Sequence, residues 1–324
     1  MEPFQNAHFP ELVRAADRAG YSDIWTYESF GADAFVPAAA AAMVSGRMRI
    51  GTAIVPVFTR PAPLIAMSAV TLNQLSGGRF ILGLGVSTPT IVEQWMGIPY
   101  RRPVTLMREM VAALRAIFRG EKVTFGGKAV KINGFRLDLP IDNAPKIYIG
   151  AQGSQMLRLA GEISDGLIVN FAPPAALPKM LDHTREGMRA AGKNPDTLDV
   201  ISRIMVAVDE DEAAARTLMR RALTAYVTVP QYNAYFREIG YAKEAESSIE
   251  AWNSGDRKQA VECVSEEMVE NIFVIGSAEE CRRRLEEYSR AGITATALQF
   301  FCLSRSPDER RARILRALEA IASK

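Results

Sequence analysis

Short apolar runs alternate along the chain with longer stretches whose apolar positions recur every third or fourth residue. Seven runs, rich in Ile, Val, Leu and Phe with few charges, read as strands buried on both faces: 23–27 (DIWTY), 49–55 (RIGTAIV), 80–85 (FILGLG), 146–150 (KIYIG), 166–170 (GLIVN), 200–208 (VISRIMVAV) and 295–301 (ATALQFF). The stretches between them carry helix signals. Residues 11–19 place Leu12, Val13, Ala16 and Ala19 on one side and stop at Gly20. Residues 104–118 follow Pro103, space Met107, Met110, Val111, Leu114 and Phe118 helically, and end at Gly120. Ser277 with Glu280 is a capping box that opens a helix running through Tyr288 toward Gly292.

Repeated strand and helix units over this length predict an α/β protein, either a closed (β/α)8 TIM barrel or an open doubly wound sheet. The sheet reading lacks its fingerprint: GRFILGLGVSTP has one GxG after a strand, with neither a third spaced glycine nor a ribose-binding acid. The expectation is one barrel domain over residues 1–324 with insertions at about 100–145 and 209–294, the second largely helical. The first nine residues, MEPFQNAHF, hold no convincing apolar run, so the first barrel strand is expected to be missing, short or irregular.

Hydrophobic residues make up 48% of the chain and charged residues 23%, enough apolar material for a large core. Lys+Arg at 39 against Asp+Glu at 37 leaves a net charge of +2, without the basic excess that phosphate neutralisation along a nucleic acid needs, so no nucleic-acid partner is expected. The chain opens without a basic and then apolar leader, and no apolar run is long enough to span a membrane, which reads as a cytoplasmic protein. Cys263, Cys281 and Cys302 form no metal-binding or disulfide pattern and are expected as buried, reduced thiols. His8 and His183 stand in no ligand motif, so no metal is expected and the chemistry must borrow an organic cofactor.

The segments YSDIWTYES, MRIGTAIVPVFTRPAPLIAMSAVTLNQLSGGRFILGLGVS and IYIGAQGSQMLRLAGEISDGLIVN together resemble the bacterial luciferase-like superfamily. Within it they resemble the coenzyme F420-dependent oxidoreductases of the methylenetetrahydromethanopterin reductase type. The most specific pieces are 75–85 and 150–166, and the similarity in order and spacing runs from Pro10 to Phe301. It implies a TIM barrel, a flavin or deazaflavin at the C-terminal strand ends, and hydride transfer through the cofactor ring.

The site follows residue by residue. Gly150, Ala151, Gln152, Gly153 and Ser154 end a strand and open a helix. Two glycines allow close backbone approach, and a Ser154 cap exposes a helix N-terminus suited to an anion. The resemblance assigns this loop the cofactor phosphate; an ordinary strand-to-helix turn would use the same residue types. The matching family strand contains a non-prolyl cis peptide behind the middle ring, which here falls between Ala53 and Ile54, with Val55 next. Gly85, Ser87 and Thr88 are expected to line the same pocket.

Relatives commonly carry an Asp-His pair where this chain has Glu28-Ser29. The carboxylate is kept on a longer stem and the histidine is replaced, leaving these two as the candidates for proton handling. A second departure is Thr88, where some F420-dependent dehydrogenases have a glutamate; the nearest acid is Glu93. Arg60, Arg101 and Arg102 fall in rim loops that could meet the anionic oligoglutamate tail of F420. Trp25 reads as core and Asp165-Gly166 as a turn.

The function expected is hydride transfer between the deazaflavin C5 and a small-molecule substrate. The alternatives are an FMN-dependent monooxygenase of the same superfamily, a non-catalytic flavin or deazaflavin carrier, and a barrel of unrelated chemistry. The resemblance also implies a homo-oligomer, a dimer foremost, while nothing in the pattern of charged and apolar positions locates its interface.

Overall fold

In the computed structural model, which describes residues 8–29 and 31–322, the buried apolar runs become parallel strands. Two compact units form: the described residues up to 169 with 180–201 and 322, and residues 170–179 with 202–321. In the first unit the strands are β1 (Asp23–Thr26), β2 (Arg49–Thr52), β3 (Val55–Pro56), β4 (Phe80–Gly85), β5 (Val123–Gly126), β6 (Lys131–Phe135), β7 (Lys146–Gly150) and β8 (Gly166–Asn170). The sheet order is β1-β2-β4-β7-β8, all parallel, with β3 also beside β4. The register pairs Trp25 with Gly51, Ile50 with Phe80, Leu82 with Ile147, and Ile149 with Leu167. It therefore brings the C-terminal ends of these strands to one edge.

The run read as one strand over 49–55 is broken, and the break builds the site. Thr52 turns its side chain into the ladder: its hydroxyl donates to the Gly83 carbonyl at 2.9 Å and accepts from the Gly83 N–H at 2.9 Å. With the backbone bonds so replaced, the chain leaves the sheet at Ala53 and Ile54. It rejoins β4 as β3, with Val55 opposite Leu84 and Pro56 opposite Gly85.

Helices α1 (Phe9–Arg18), α2 (Phe35–Val44), α3 (Ala62–Leu75), α4 (Pro103–Phe118), α5 (Ser154–Ile163) and α6 (Leu177–Ala190) follow. The Gly/Lys-rich part of the first insertion is an antiparallel hairpin of β5 and β6. Glu109 on α4 fastens its turn, accepting the N–H groups of Lys128, Ala129 and Val130 at 2.7–2.8 Å. Residues 1–9, where the first barrel strand was expected to be missing, short or irregular, lie mostly outside the described residues; of the described part, His8 is a single-turn residue and Phe9 begins α1.

At the N-terminal strand ends, Arg49 bonds Asp23 and lies 3.0 Å from Asp199, which also accepts from the Tyr148 hydroxyl. Burial and then this bond to Asp199 push the Tyr148 phenol up. Trp25 lies over Gly51 and packs 6.1 Å from Tyr148, but it is half-buried and not the full core residue expected.

In the second unit β9 (Val200–Val208) pairs in parallel with β10 (Val274–Gly276) and also with β11 (Ala295–Phe300). Helices α7 (Glu212–Val227), α8 (Pro230–Glu238), α9 (Ala242–Asn253), α10 (Arg257–Glu262), α11 (Glu266–Ile272), α12 (Ala278–Arg290) and α13 (Pro307–Ile321) complete it. The capping box forms at Ser277 and Glu280 as read. Strand β10, inside the segment expected to be largely helical, was not foreseen. All three thiols are free, but only Cys281 is fully buried; Cys263 and Cys302 are half-buried, contrary to expectation.

Helix α5 is set by glycine contacts with α6. A Cβ on Gly161 would lie 2.0 Å from the Thr184 carbonyl oxygen, and one on Gly187 would lie 2.0 Å from that of Arg158. Gly161→Ala is therefore expected to destabilise the protein by about 1–3 kcal/mol through overpacking. Gly46→Ala, with nothing within 4 Å, is expected to change stability by less than about 0.5 kcal/mol. Urea unfolding of both variants checks this; equal stabilities would show that α5 can shift at no cost.

Candidate active site

Three strand ends meet at Ile54. A Cβ on Gly85 would lie 2.5 Å from Ile54 Cγ1, and one on Gly150 would lie 2.9 Å from Ile54 Cγ2. The Ile54 side chain thus rests on two bare α-carbons, and the half-buried Ala53–Ile54 step stands at the rim. The peptide between Ala53 and Ile54 is cis. It is held on both sides: Ala53 N–H donates to Thr26 O at 2.6 Å and Glu28 N–H to Ile54 O at 3.2 Å. Val55, buried, continues into β3.

Beyond Gly85 the chain turns sharply. Ser87 has φ of +58°, a left-handed conformation that non-glycine residues adopt rarely. Thr88 Oγ1 accepts the Ile91 N–H at 3.4 Å, which leaves its own O–H free to donate. A π-helical turn follows over Thr90–Trp95, a feature that no sequence signal announced. Glu93 lies in that turn and accepts the Tyr100 N–H at 2.9 Å.

The 150–154 loop differs by one residue from its expected form. Gly153, not Ser154, is the N-cap of α5, and Ser154 is the first helical residue. No side chain caps the first turn and no acidic residue stands in it. Its leading N–H groups and the positive end of the helix dipole are turned to an exposed glycine with nothing within 4 Å of its Cβ position. Ala151 N–H is committed to Ile168 O at 3.1 Å, so that residue shapes the loop without donating to an anion. Gln152 is half-buried between them. Asp165 accepts the Ile147 N–H at 2.8 Å and pairs with Arg115 at 2.6 Å, the structural turn role read for it.

Glu28 is not a free rim acid. Its Oε2 accepts from Arg60 Nη2 at 2.6 Å and from Ala34 N–H at 3.4 Å. Arg60 also pairs with Asp33 and lies 5.4 Å over the Phe35 ring. Burial works against the guanidinium, but the Glu28 bond leads the effects that outweigh it and hold Arg60 above the ordinary arginine range. Arg60 is therefore engaged with two carboxylates, which corrects the expectation that it is available to a cofactor tail. Asp33 is the member of this cluster that sequence reading missed. Ser29 is half-buried, with no hydrogen bond among the described residues.

The arrangement offers an apolar shelf at Ile54, hydroxyls at Ser87 and Thr88, an uncapped helix start at Gly153, and an ion-paired carboxylate at Glu28. These residues suit a planar heterocycle with a phosphate-bearing side arm: the shelf matches a ring, and the uncapped helix start matches a phosphate.

Comparison with known proteins gives the same direction. Residues 3–295 match the family model described as luciferase-like monooxygenase. The chain is 30% identical to the 5,10-methylenetetrahydromethanopterin reductase of Methanolobus tindarius over 291 residues, covering 89% of this chain and 87% of that one. It is also 30% identical to a Mycobacterium tuberculosis protein provisionally named a coenzyme F420-dependent oxidoreductase, covering 90% of each. The solved coenzyme F420-dependent tetrahydromethanopterin reductase of Methanopyrus kandleri superposes with a TM-score of 0.81 at 24% identity, covering 98% of this chain and 94% of that one, and carries the TIM-barrel-like fold. With nine-tenths of its length matched, this chain belongs to the luciferase-like family.

Proposed function

We propose that this protein is a coenzyme F420-dependent oxidoreductase that transfers a hydride between the deazaflavin ring and a small organic substrate. The observation that carries the reading is the seating of Ile54 on Gly85 and Gly150, directly beside the open first turn of α5. The two relatives at 30% identity, a reductase and a protein named as F420-dependent, support it.

When bound, the deazaflavin supplies the hydride at its C5. The chain supplies position and proton handling. Ile54 backs the ring, and the Ser87 and Thr88 hydroxyls donate to its polar edge. The first-turn N–H groups of α5, with Gly153 at their head, hold the phosphate of the side arm. Glu28 Oε2 is tied to Arg60, so Oε1 and the Ser29 Oγ are the atoms left to receive or pass the substrate's proton.

The reading includes a dimer. Neither α2 nor α3 contains a charged residue, the two helices pack on each other, and together they expose Val36, Met43, Leu64, Met67 and Leu75. An uncharged apolar face meets a second copy of itself without like-charge repulsion.

Binding and assembly both test the reading. Purified protein titrated with F420 and FMN in parallel binds F420 selectively. Gly153→Asp weakens that binding by about tenfold or more, because a carboxylate then occupies the phosphate donors. Its stability is retained or raised by up to about 1 kcal/mol, because aspartate is a good N-cap. Binding of FMN alone would move the reading to the oxygen chemistry that the family model's description favours. In light scattering the protein is a dimer and Met43→Glu with Met67→Glu a folded monomer; a double variant that stays dimeric would place the interface elsewhere.

A further inference from the structure

Glu28, Arg60 and Asp33 place two carboxylates on one cation beside the Ile54 shelf. Glu28 is tied to the shelf by its own backbone, whose N–H donates to Ile54 O at 3.2 Å. The Glu28 and Arg60 side chains are only 14% and 22% exposed, so partners in the protein and not water compensate most of their charge. Arg60 Nη2 serves both acids, donating to Glu28 Oε2 at 2.6 Å and to Asp33 Oδ2. None of the three has a further ion pair among the described residues.

Asp33 is fixed independently of Glu28. Its Oδ1 accepts the N–H groups of Phe35 and Val36, each at 2.8 Å, at the start of α2. Burial works against its charge, but the bond from the Val36 N–H and then Arg60 outweigh it and hold the carboxyl below the ordinary aspartate range. The next residue closes the loop: Ala34 N–H donates to Glu28 Oε2 at 3.4 Å, and Ala34 O accepts from Thr26 Oγ1 at 2.7 Å. Arg60 keeps a donor in reserve, because its Nε is buried without a partner.

The cluster carries two negative charges and one positive. A proton arriving at Glu28 makes it neutral overall, and Arg60 still has an ionised partner in Asp33. With Glu28 as its sole partner, the same proton would leave a largely buried cation unpaired, which is costly. The idle Nε shares an edge of the guanidinium with Nη2, and that edge suits a two-bond grip on Asp33 once Glu28 Oε2 lets go.

We propose that Asp33 is a positioning residue for proton transfer at Glu28: acting through Arg60, it holds that cation whether Glu28 is charged or neutral, so that Oε1 can take the substrate's proton and give it back. In the oxidising direction the substrate's O–H or N–H bond breaks and its proton bonds to Oε1. The substrate forms a C=O or C=N bond, and its C–H hydrogen departs with two electrons to the deazaflavin. Glu28 then passes the proton to water, and the reverse direction uses the same atoms. The identity of the proton donor rests on the proposed function; the sharing of Arg60 does not.

The test begins on the full chain without cofactor. Glu28→Gln stands for the neutral carboxyl, and Asp33→Asn removes the second charge while leaving an oxygen to cap α2. Each single variant is expected to unfold in urea near the wild-type midpoint and to keep the Arg60 guanidinium N–H signals slow in exchange with water by side-chain NMR. The double variant should lower the midpoint beyond the sum of the singles by about 0.5 M or more and open those signals to exchange. Adding Arg60→Gln removes the orphaned cation and should recover most of the loss, which keeps the comparison readable even where the double variant folds poorly. Additive singles, no recovery, or loss of the Arg60 signals in Glu28→Gln alone would show that Asp33 does not retain Arg60 and overturn the proposal. Turnover adds the reaction: F420 is mixed with a panel of small alcohols and amines. With the compound that reduces it fastest, Asp33→Asn should lower kcat by about tenfold or more at unchanged KM. An unchanged kcat overturns the positioning role. Failure of F420 to bind would count against the proposed function, and the Arg60 signals and the recovery decide the shared cation without it.

Discussion

The candidate site depends on three places where a side chain is absent. At Gly83 a Cβ would lie 1.7 Å from the Thr52 carbonyl oxygen, and at Gly85 and Gly150 it would run into Ile54. Removing those three side chains lets β2 come close enough for Thr52 to exchange both hydrogen bonds with Gly83 through its hydroxyl. The backbone is thereby released at Ala53 and Ile54, and Ile54 settles on the ends of β4 and β7. Every proposed cofactor contact is placed relative to that shelf. The GLG of β4, which in sequence looks like a fragment of a dinucleotide fingerprint, thus has a steric role: its glycines admit a neighbouring strand, not a pyrophosphate.

Charge is distributed on the opposite principle. The strand-end carboxylates are satisfied by partners far away in sequence: Glu28 by Arg60, Asp23 and Asp199 by Arg49, Asp165 by Arg115. A half-buried carboxylate left alone would carry a desolvation cost, and each arginine offsets it. The pairing also limits the chemistry. Glu28 with one oxygen held by Arg60 is a fixed acceptor, and with Ser29 beside it no second titratable ring follows it.

Strands buried on both faces were legible to the residue: 80–85, 146–150, 166–170 and 200–208 are the observed limits, because uninterrupted burial leaves an uninterrupted apolar run. The failures have physical causes. The break after Thr52 is made by one hydroxyl replacing two ladder bonds, which hydropathy does not register. The β5–β6 hairpin is polar and held by Glu109 from a helix, and β10 is three residues long and lies among helices. The Gly153 and Ser154 assignment slipped by one because both are acceptable caps, and only the backbone angles decide. In the candidate site, the glycines and the Ala53–Ile54 step were legible through the family resemblance. The partners Arg60 and Asp33 were not, since ion pairs between side chains 32 and 27 residues apart have no local signature.

The same contrast separates a sterically constrained part of the candidate site from a permissive one. A shelf defined by glycines cannot drift far: any Cβ at Gly85 or Gly150 displaces Ile54, so the position of Ile54 is constrained sterically. A cleft beyond it is bounded by loops and a hairpin turn, where a change of charge has no steric consequence and one arginine more or less alters only what is attracted. The Ile54 shelf therefore belongs to the constrained part of the molecule, and the charges around the cleft to the permissive part. The Arg101-Arg102 pair at the head of α4, with no acidic residue in its first turn, lacks the compensation that Glu28 and Asp33 give Arg60 much earlier in the chain.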